Sequence, residues 1–495
     1  MVVLFLYFLT HSIRLVEYPA FSTDEMFYVA KANCWEKNEI PCVYGWYEEV
    51  HPEFTNPSTY PWLLILLFGV FGTSPLVLRS FMLVIGIVNL LLVFLIGREL
   101  GANGNLWRGY AIGIIGGLIL ALDRDLVYYS RIGYLDNPMN LCLTAFLYFY
   151  LRYLRTNHQR FAWIAGLAAG LGLWFKLSAV FILIGLAVFA LLTRQIDGAL
   201  RVQAMMVFFV VLYVQWGLSV DPVAFTNGNL FQITKESDSD PGKFWQALIF
   251  HHSQGERIDE IRMLILFSIL VPLFYLRDSQ NVFYRGSFLV FNLVFGAVIF
   301  FSFFTRSLFD YYLAGFASFY SILFAISIIL LFDSGKLLYQ KLLRFSKPSP
   351  NYQNHFRQYV RLGIVVFLIF SLFLRYNQGV VLFKSRNPSS YLISENKEFL
   401  DIISFIQSNI PTNKTFVAPI EISPWLNASG YSVWSIWLNL STPDWIVRRY
   451  IQNNHPDYLV LHKSFLYIPQ GLDYFSTRVF ANYKILEQGI IPKPV

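Results

Sequence analysis

Long apolar runs constrain this chain more than any other feature. Segments near 1–13, 76–97, 108–123, 138–153, 161–175, 177–193, 202–219, 262–276, 287–304, 312–332 and 362–376 approach the ~20 residues that a helix needs to cross a bilayer core. In lipid such a run must satisfy its own backbone, so the expected fold class is an all-α polytopic membrane domain with about 11 transmembrane helices. Only 14% of the residues are charged, against roughly 25% in a soluble domain, and the mean hydropathy is +0.48. Residues 60–71 ("YPWLLILLFGVF") are shorter and read as an interfacial or re-entrant helix. The opening "MVVLFLYFLTHSI" gives about 13 residues before Arg14, near 20 Å of helix against a ~30 Å core, so a truncated first span or an upstream start is expected.

Charge sorts the loops into two sides. Loops around 98–108, 152–160, 194–201, 277–285 and 333–361 lean basic, whereas 14–75 and 221–261 are acid-rich. Lys/Arg bias marks the cytoplasmic side, so a cytoplasmic N-terminus places loop 14–75 outside. The net charge of +7 belongs to these orienting loops; no basic-aromatic stripe argues for nucleic acid. A multi-pass protein of the cell membrane is expected.

After about 377 the texture changes. "NKEFLDIISFIQSNIP" reads as an amphipathic helix, "KTFVAPIE" and "PDYLVLH" as short buried strands, and "STPDWIVRRYIQNN" as another helix. Two domains follow: a membrane domain over 1–376 and a small extracytoplasmic α/β domain over 377–495. Three Asn-x-Ser/Thr matches, at Asn413, Asn427 and Asn439, fall in the second and arise readily by chance.

Several residues carry chemical possibilities. Asp24 and Glu25 are adjacent carboxylates in the acid-rich loop, so one can act as a general base or both can be solvated loop acids. "LDRDLVYYSRIGYLDNPMNL" brings Arg131 and Asp136 to the outer ends of two spans, where an arginine can grip phosphate or snorkel to headgroups. Arg79, Arg131, Lys176 and Arg306 all sit at outer span ends, where positive-inside logic disfavours them. Four outward cations around an apolar cavity suit a lipid phosphate; the alternative is headgroup binding and pairing with nearby acids. His51 and Glu53 offer a possible divalent-metal site, or a structural histidine beside proline. Cys34 and Cys42 can pair if their loop is extracytoplasmic, or stay free; Cys142 reads as a small hydrophobe. No P-loop or nucleophile elbow is present, which argues against nucleotide-driven chemistry.

The order of the acidic pair, "HP…YPWLLILLFGVFG…LRSF", "YYSRIGYLDNPM" and "RSLFDYYLAGFASFY" resembles the polyprenyl-phosphate-sugar-dependent glycosyltransferases of the C-fold superfamily. Within it the chain is similar to protein O-mannosyltransferases and the lipid A aminoarabinose transferases. The resemblance covers roughly residues 1–330. It implies Asp24 as catalytic base and Glu25 as its companion acid. It also implies Arg14 and Arg79 as basic residues near the site, Asp136 as the acid after the "SR" element, and Lys176 near the donor phosphate. Arg306, Tyr311 and Tyr312 match a late family element. The usual double proline is replaced here by His51-Pro52-Glu53.

The chemistry agrees. A sugar on a lipid phosphate already has a good leaving group, so the protein must supply a base for the acceptor hydroxyl and cations for the phosphate. A polyprenyl-phosphate sugar donor, a bilayer, and a protein, glycolipid or glycan acceptor are the expected partners. A transporter or flippase of lipid-linked saccharide would need the cations and groove, but not an external acid pair.

Overall fold

The computed structural model describes residues 1–16, 23–38, 42–44, 50–52, 54, 57, 59–102, 106–236, 268–304, 314–346, 397–419, 422–436 and 456–460. The chain opens with α1 (Val2–Ser12) and α2 (Thr23–Asn38). The antiparallel pair β1 (Cys42–Tyr44) and β2 (Val50–Pro52) follows, and then α3 (Thr59–Phe71). Next come α4 (Pro75–Gly101), α5 (Leu106–Leu122), α6 (Arg124–Arg131), α7 (Asp136–Thr156) and α8 (Gln159–Phe175). A 3₁₀ turn over Leu177–Val180 leads into α9 (Phe181–Thr193), α10 (Ile196–Val220) and α11 (Pro222–Glu236). After it stand α12 (Leu270–Arg277), α13 (Val282–Phe304) and α14 (Ala317–Ser346).

Local chemistry sets several of these boundaries. Ser74 caps α4 by accepting the Val77 N–H at 3.2 Å, and Pro75 occupies the first turn, where its missing donor costs nothing. Asn157 ends α7 in the left-handed region, at φ 56°.

Among the described residues, four stretches are long and apolar enough to cross a bilayer: Pro75–Gly101, Ile196–Val220, Val282–Phe301 and Ala317–Gly335. They coincide with the spans expected near 76–97, 202–219, 287–304 and 312–332. The runs near 108–123, 138–153, 161–175 and 177–193 are also helical. The run at 362–376 and the first part of 262–276 lie outside the described residues. The protein is an integral membrane protein. α3 has 13 residues, about 20 Å of helix, and Trp62, Leu66 and Val70 leave one face of it exposed.

Small residues bring the helices together. A Cβ on Gly97 of α4 would lie 2.5 Å from both the Gly109 carbonyl oxygen and the Gly113 nitrogen of α5. A Cβ on Gly185 of α9 would lie 2.5 Å from the Asn292 carbonyl oxygen of α13. Backbones this close gain dispersion and Cα–H contacts, a means of packing helices where lipid is as apolar as leucine.

Further along, α15 (Lys397–Asn409), β3 (Thr415–Pro419), α16 (Ser423–Ala428), β4 (Ser432–Ile436) and β5 (Tyr458–Leu459) form a unit around a parallel sheet of order β4-β3-β5. The helix expected from "NKEFLDIISFIQSNIP" and the strands expected from "KTFVAPIE" and "PDYLVLH" are α15, β3 and β5. The helix expected from "STPDWIVRRYIQNN" lies outside the described residues. α16 and β4 were not anticipated; α16 is the crossover that a parallel strand pair requires. This unit shares one apolar cluster with α2 and α3: Phe399, Ile403, Phe416 and Trp425 pack with Met26, Val29, Leu64 and Phe68. Asn33 of α2 donates its side-chain amide to the Pro424 carbonyl at 3.0 Å across that junction.

Candidate active site

Asp24 and Glu25 open α2, where a carboxylate also complements the positive end of the helix dipole. Adjacent helical residues point about 100° apart, and the two acids meet opposite surroundings. Asp24 is exposed. Glu25 is fully buried and forms a bidentate pair with Arg79, Nη2 to Oε2 at 3.0 Å and Nε to Oε1 at 3.2 Å. Its Oε1 also accepts the Gly133 N–H at 3.0 Å.

The two arginines near the pair hold backbone. Arg79 is fully buried, and its Nη1 donates to the carbonyls of Leu15 at 3.1 Å and Val16 at 3.3 Å. Arg131 is 1% exposed and donates to the carbonyls of Thr10 at 3.1 Å, Ile13 at 2.6 Å and Arg14 at 2.9 Å. Arg14 itself lies in the left-handed region, at φ 53°, where a side chain is tolerated only under local constraint. Both guanidinium groups therefore organise residues 10–16, the segment that leads into Asp24.

Asp136 begins α7 and is 4% exposed; both of its oxygens accept from Lys176 Nζ, at 2.9 and 2.8 Å. Lys176 sits in extended backbone at the break between α8 and the 3₁₀ turn, which turns its side chain back onto the start of α7. Its side chain keeps 17% exposure, so it reaches the surface of the site as the two arginines do not.

Tyr28 connects these groups. It stands one turn beyond Asp24, is buried, and meets Tyr60 edge to face at 5.4 Å. Burial and the carboxylates of Asp24 and Asp136 push its phenol well above the usual tyrosine range, with Tyr134 and Tyr60 adding to the effect. The phenol is therefore a neutral donor. Tyr60 in turn donates to the Gly133 carbonyl at 2.8 Å. Gly133 is thus held at its N–H by Glu25 and at its carbonyl by Tyr60, three residues before Asp136. A Cβ there would lie 2.8 Å from the Leu78 side chain and 3.1 Å from that of Glu25, so a larger residue would have to displace these two buried side chains.

The structure brings Asp24, Tyr28, Asp136 and Lys176 into one neighbourhood and sets Glu25, Arg79 and Arg131 behind it. Tyr28, Tyr60 and Gly133 escaped the reading from sequence. The i, i+4 spacing of Asp24 and Tyr28 was the available signal for the first; nothing local marks the other two. Glu53, Arg306, Tyr311 and Tyr312 lie outside the described residues, and His51 is described only as the β2 residue opposite Val43. Among the described residues, no group of three His, Cys, Asp or Glu side chains gathers to hold a metal. Cys34 and Cys42, whose pairing the sequence left open, form a disulfide with a Cα–Cα distance of 5.7 Å that ties the end of α2 to β1.

Chemically, the arrangement offers an exposed carboxylate, a neutral phenol, and an ammonium held by a second carboxylate. That set can remove a proton, donate a hydrogen bond and stabilise an anion.

Comparison with known proteins agrees in fold. Residues 55–216 match the family described as dolichyl-phosphate-mannose-protein mannosyltransferase. That segment contains Arg79, Arg131, Asp136 and Lys176, and begins after Asp24. The structure of ArnT from Cupriavidus metallidurans bound to undecaprenyl phosphate superposes with a TM-score of 0.54 at 14% identity, covering 92% of this chain and 87% of that one. Its apo state gives 0.56 at 13% identity, covering 88% and 84%. A protein of Aquifex aeolicus described only as uncharacterized is 27% identical over 148 residues. That match spans 30% of this chain and 28% of the relative.

Proposed function

From the match of residues 55–216 to a mannosyltransferase family and the likeness in fold to ArnT, we propose that the chain transfers a sugar from a polyprenyl-phosphate donor to an acceptor hydroxyl by a single inverting displacement. The observation that carries this reading is the separation of the acidic pair: Glu25 is consumed by Arg79 and Gly133, while Asp24 remains exposed beside Tyr28.

In this reading the acceptor oxygen attacks the anomeric carbon and its proton passes to Asp24. The bond from that carbon to the phosphate oxygen breaks, and its electron pair leaves with the lipid phosphate. Lys176, aimed by Asp136, neutralises the charge that develops there. Arg79 and Arg131 support the site by fixing residues 10–16, which differs from the phosphate-gripping role expected of them. Their burial favours this division: Arg79 directs its donors to two backbone carbonyls and the Glu25 carboxylate, and the terminal nitrogens of Arg131 donate to three backbone carbonyls. Arg306, at an outer span end, remains a proposed donor-phosphate residue, Tyr311 a supporting residue from the sequence resemblance, and His51 and Glu53 a possible divalent-metal pair on the chemistry of their side chains.

The site and the unit around β3–β5 are read as extracytoplasmic, with about 11 spans in all. Loop charge supports this, and so does the Cys34–Cys42 disulfide, because such bonds persist in oxidising compartments. Acceptors of protein, glycolipid or glycan type all fit the chemistry.

The test uses proteoliposomes holding the purified protein, a radiolabelled polyprenyl-phosphate hexose and extracted surface glycoproteins and glycolipids. Label should pass to an acceptor with the wild type and stay on the lipid with Asp24→Asn. Full transfer by Asp24→Asn would remove the assignment of the base. Movement of labelled lipid across the bilayer without transfer would favour a flippase.

A further inference from the structure

Phe54 is the single large apolar side chain between Pro52 and Tyr60, in a stretch that otherwise reads Glu-x-Thr-Asn-Pro-Ser-Thr. It is nevertheless 1% exposed. A ring buried out of a polar connection anchors that connection, because exposing it again returns its apolar surface to water.

The socket that holds the ring is the turn between α10 and α11. Asp221 caps α11 by accepting the N–H groups of Val223 at 3.0 Å and Ala224 at 2.9 Å. A Cβ on Gly217 would run into the Phe225 ring, so the two helices close tightly on each other. Phe54 meets Trp216 and Phe225 edge to face, both at 5.6 Å, and the Tyr213 hydroxyl donates to its carbonyl at 3.4 Å.

The socket also touches both sides of the candidate site. Trp174 and Leu177 pack against it, and they stand on either side of Lys176. Trp174 is pinned to α10 as well, its indole N–H donating to the Phe209 carbonyl at 2.7 Å. From the other side, Trp35 of α2 meets Trp216 at 6.3 Å. The Cys34–Cys42 disulfide then joins α2 to the β1–β2 pair that leads to Phe54. Helix α2 begins with Asp24, and the break after α8 carries Lys176.

We propose that Phe54 is a positioning residue, whose ring, locked between α10 and α11, holds the break at Lys176 in place relative to α2. This rests on the reading of Lys176 as the group that meets the donor phosphate. Without the ring, the cluster under Trp174 and Leu177 loses one of its three fully packed members, and the break gains freedom. A misplacement of about 1 Å at a reacting group can cost on the order of 100-fold in rate.

The full-length protein in proteoliposomes tests this by a double-mutant cycle on transfer from a radiolabelled polyprenyl-phosphate hexose. Phe54→Ala should lower kcat/KM for the donor about 10-fold in the wild-type background and less than about 2-fold in Lys176→Met. A residue that acts through Lys176 has nothing left to lose once the ammonium is gone. Phe54→Leu, which refills most of the socket, should stay within about 3-fold of the wild type. An equal loss in both backgrounds makes Phe54 a packing residue and overturns the proposal. Hydrogen exchange gives a readout independent of transfer. Phe54→Ala should speed exchange of the Lys176 and Ala179 amides, bonded to the carbonyls of Gly172 at 3.1 Å and Lys176 at 3.0 Å, by about 10-fold. Unchanged exchange there also overturns the proposal. A wild type that transfers no sugar removes the proposed function instead, and exchange then decides the role of Phe54 by itself. If Phe54→Ala does not fold, Phe225→Leu loosens the same socket from α11 and goes through both measurements.

Discussion

Breaking the Glu25–Arg79 pair tests whether these residues form the scaffold of the site or its chemistry. Both side chains have no exposed surface, and Glu25 collects three charge-assisted hydrogen bonds, two from Arg79 and one from Gly133. Removing one member of a buried pair typically costs about 3–5 kcal/mol, because the remaining charge is left in a poorly solvating interior. Glu25→Gln should fall near the lower figure, since the amide oxygen still accepts one N–H and the carbonyls of Leu15 and Val16 still bind Arg79. Arg79→Leu should reach the upper one: it strands a carboxylate and also orphans those two carbonyls, each about 1–3 kcal/mol when buried. The double variant Glu25→Leu/Arg79→Leu has no stranded charge and should recover much of the loss, giving a coupling energy of roughly 2–3 kcal/mol. Thermal unfolding of the four purified proteins in one detergent measures the cycle. Single costs below about 1 kcal/mol with no coupling would refute the buried scaffold. An Arg79→Leu protein of normal stability whose donor KM alone rises would return Arg79 to phosphate binding.

Other outcomes follow from the same geometry. Lys176→Met should lower kcat/KM for the lipid-phosphate donor by roughly 10- to 150-fold, the loss of one charge-assisted contact, with the Asp136 carboxylate left unpaired. Lys176→Arg should recover part of that rate in the same steady-state assay. Gly97→Val should destabilise by at least about 1–3 kcal/mol, because its side chain meets the backbone of Gly109 and Gly113 rather than a side chain able to rotate away; thermal melts read this. Reducing Cys34–Cys42, or replacing both cysteines by serine, opens a short loop and should cost about 2.5 kcal/mol on the chain-entropy account; melts with and without reductant compare directly. Asp457 accepts from Thr415 N–H at 2.8 Å and from Lys414, which hold its pKa at about 2 in the folded chain. A depressed folded pKa contributes stability above the unfolded value near 3.8 and loses it as pH falls toward 2. Asp457→Asn should therefore destabilise the β3–β5 junction at pH 7 and make little difference at pH 2, as followed by hydrogen exchange of Thr415 and Asp457.

The sequence by itself determined the class and much of the element order. Apolar runs of bilayer length leave the backbone no solution but helices, so the spans near 76–97, 202–219, 287–304 and 312–332 were legible without any tertiary information. The amphipathic period of "NKEFLDIISFIQSNIP" and the short apolar run in "KTFVAPIE" revealed α15 and β3 in the same way, because these are local properties of consecutive residues. The candidate site was legible only as a set of residue types: Asp24, Glu25, Asp136, Lys176 and the arginines were all visible. Which acid is exposed and which is buried against an arginine was decided by the fold. Glu25 meets Arg79 across 54 positions and Gly133 across 108, and no local pattern encodes those distances. The arginines show the same division. Their position at span ends was plain from sequence, but their burial against carbonyls 10–16 depends on how α1, α4 and α6 converge. Tertiary packing assigns a charge its partner, since the cost of burying it is met only by groups brought from elsewhere in the chain.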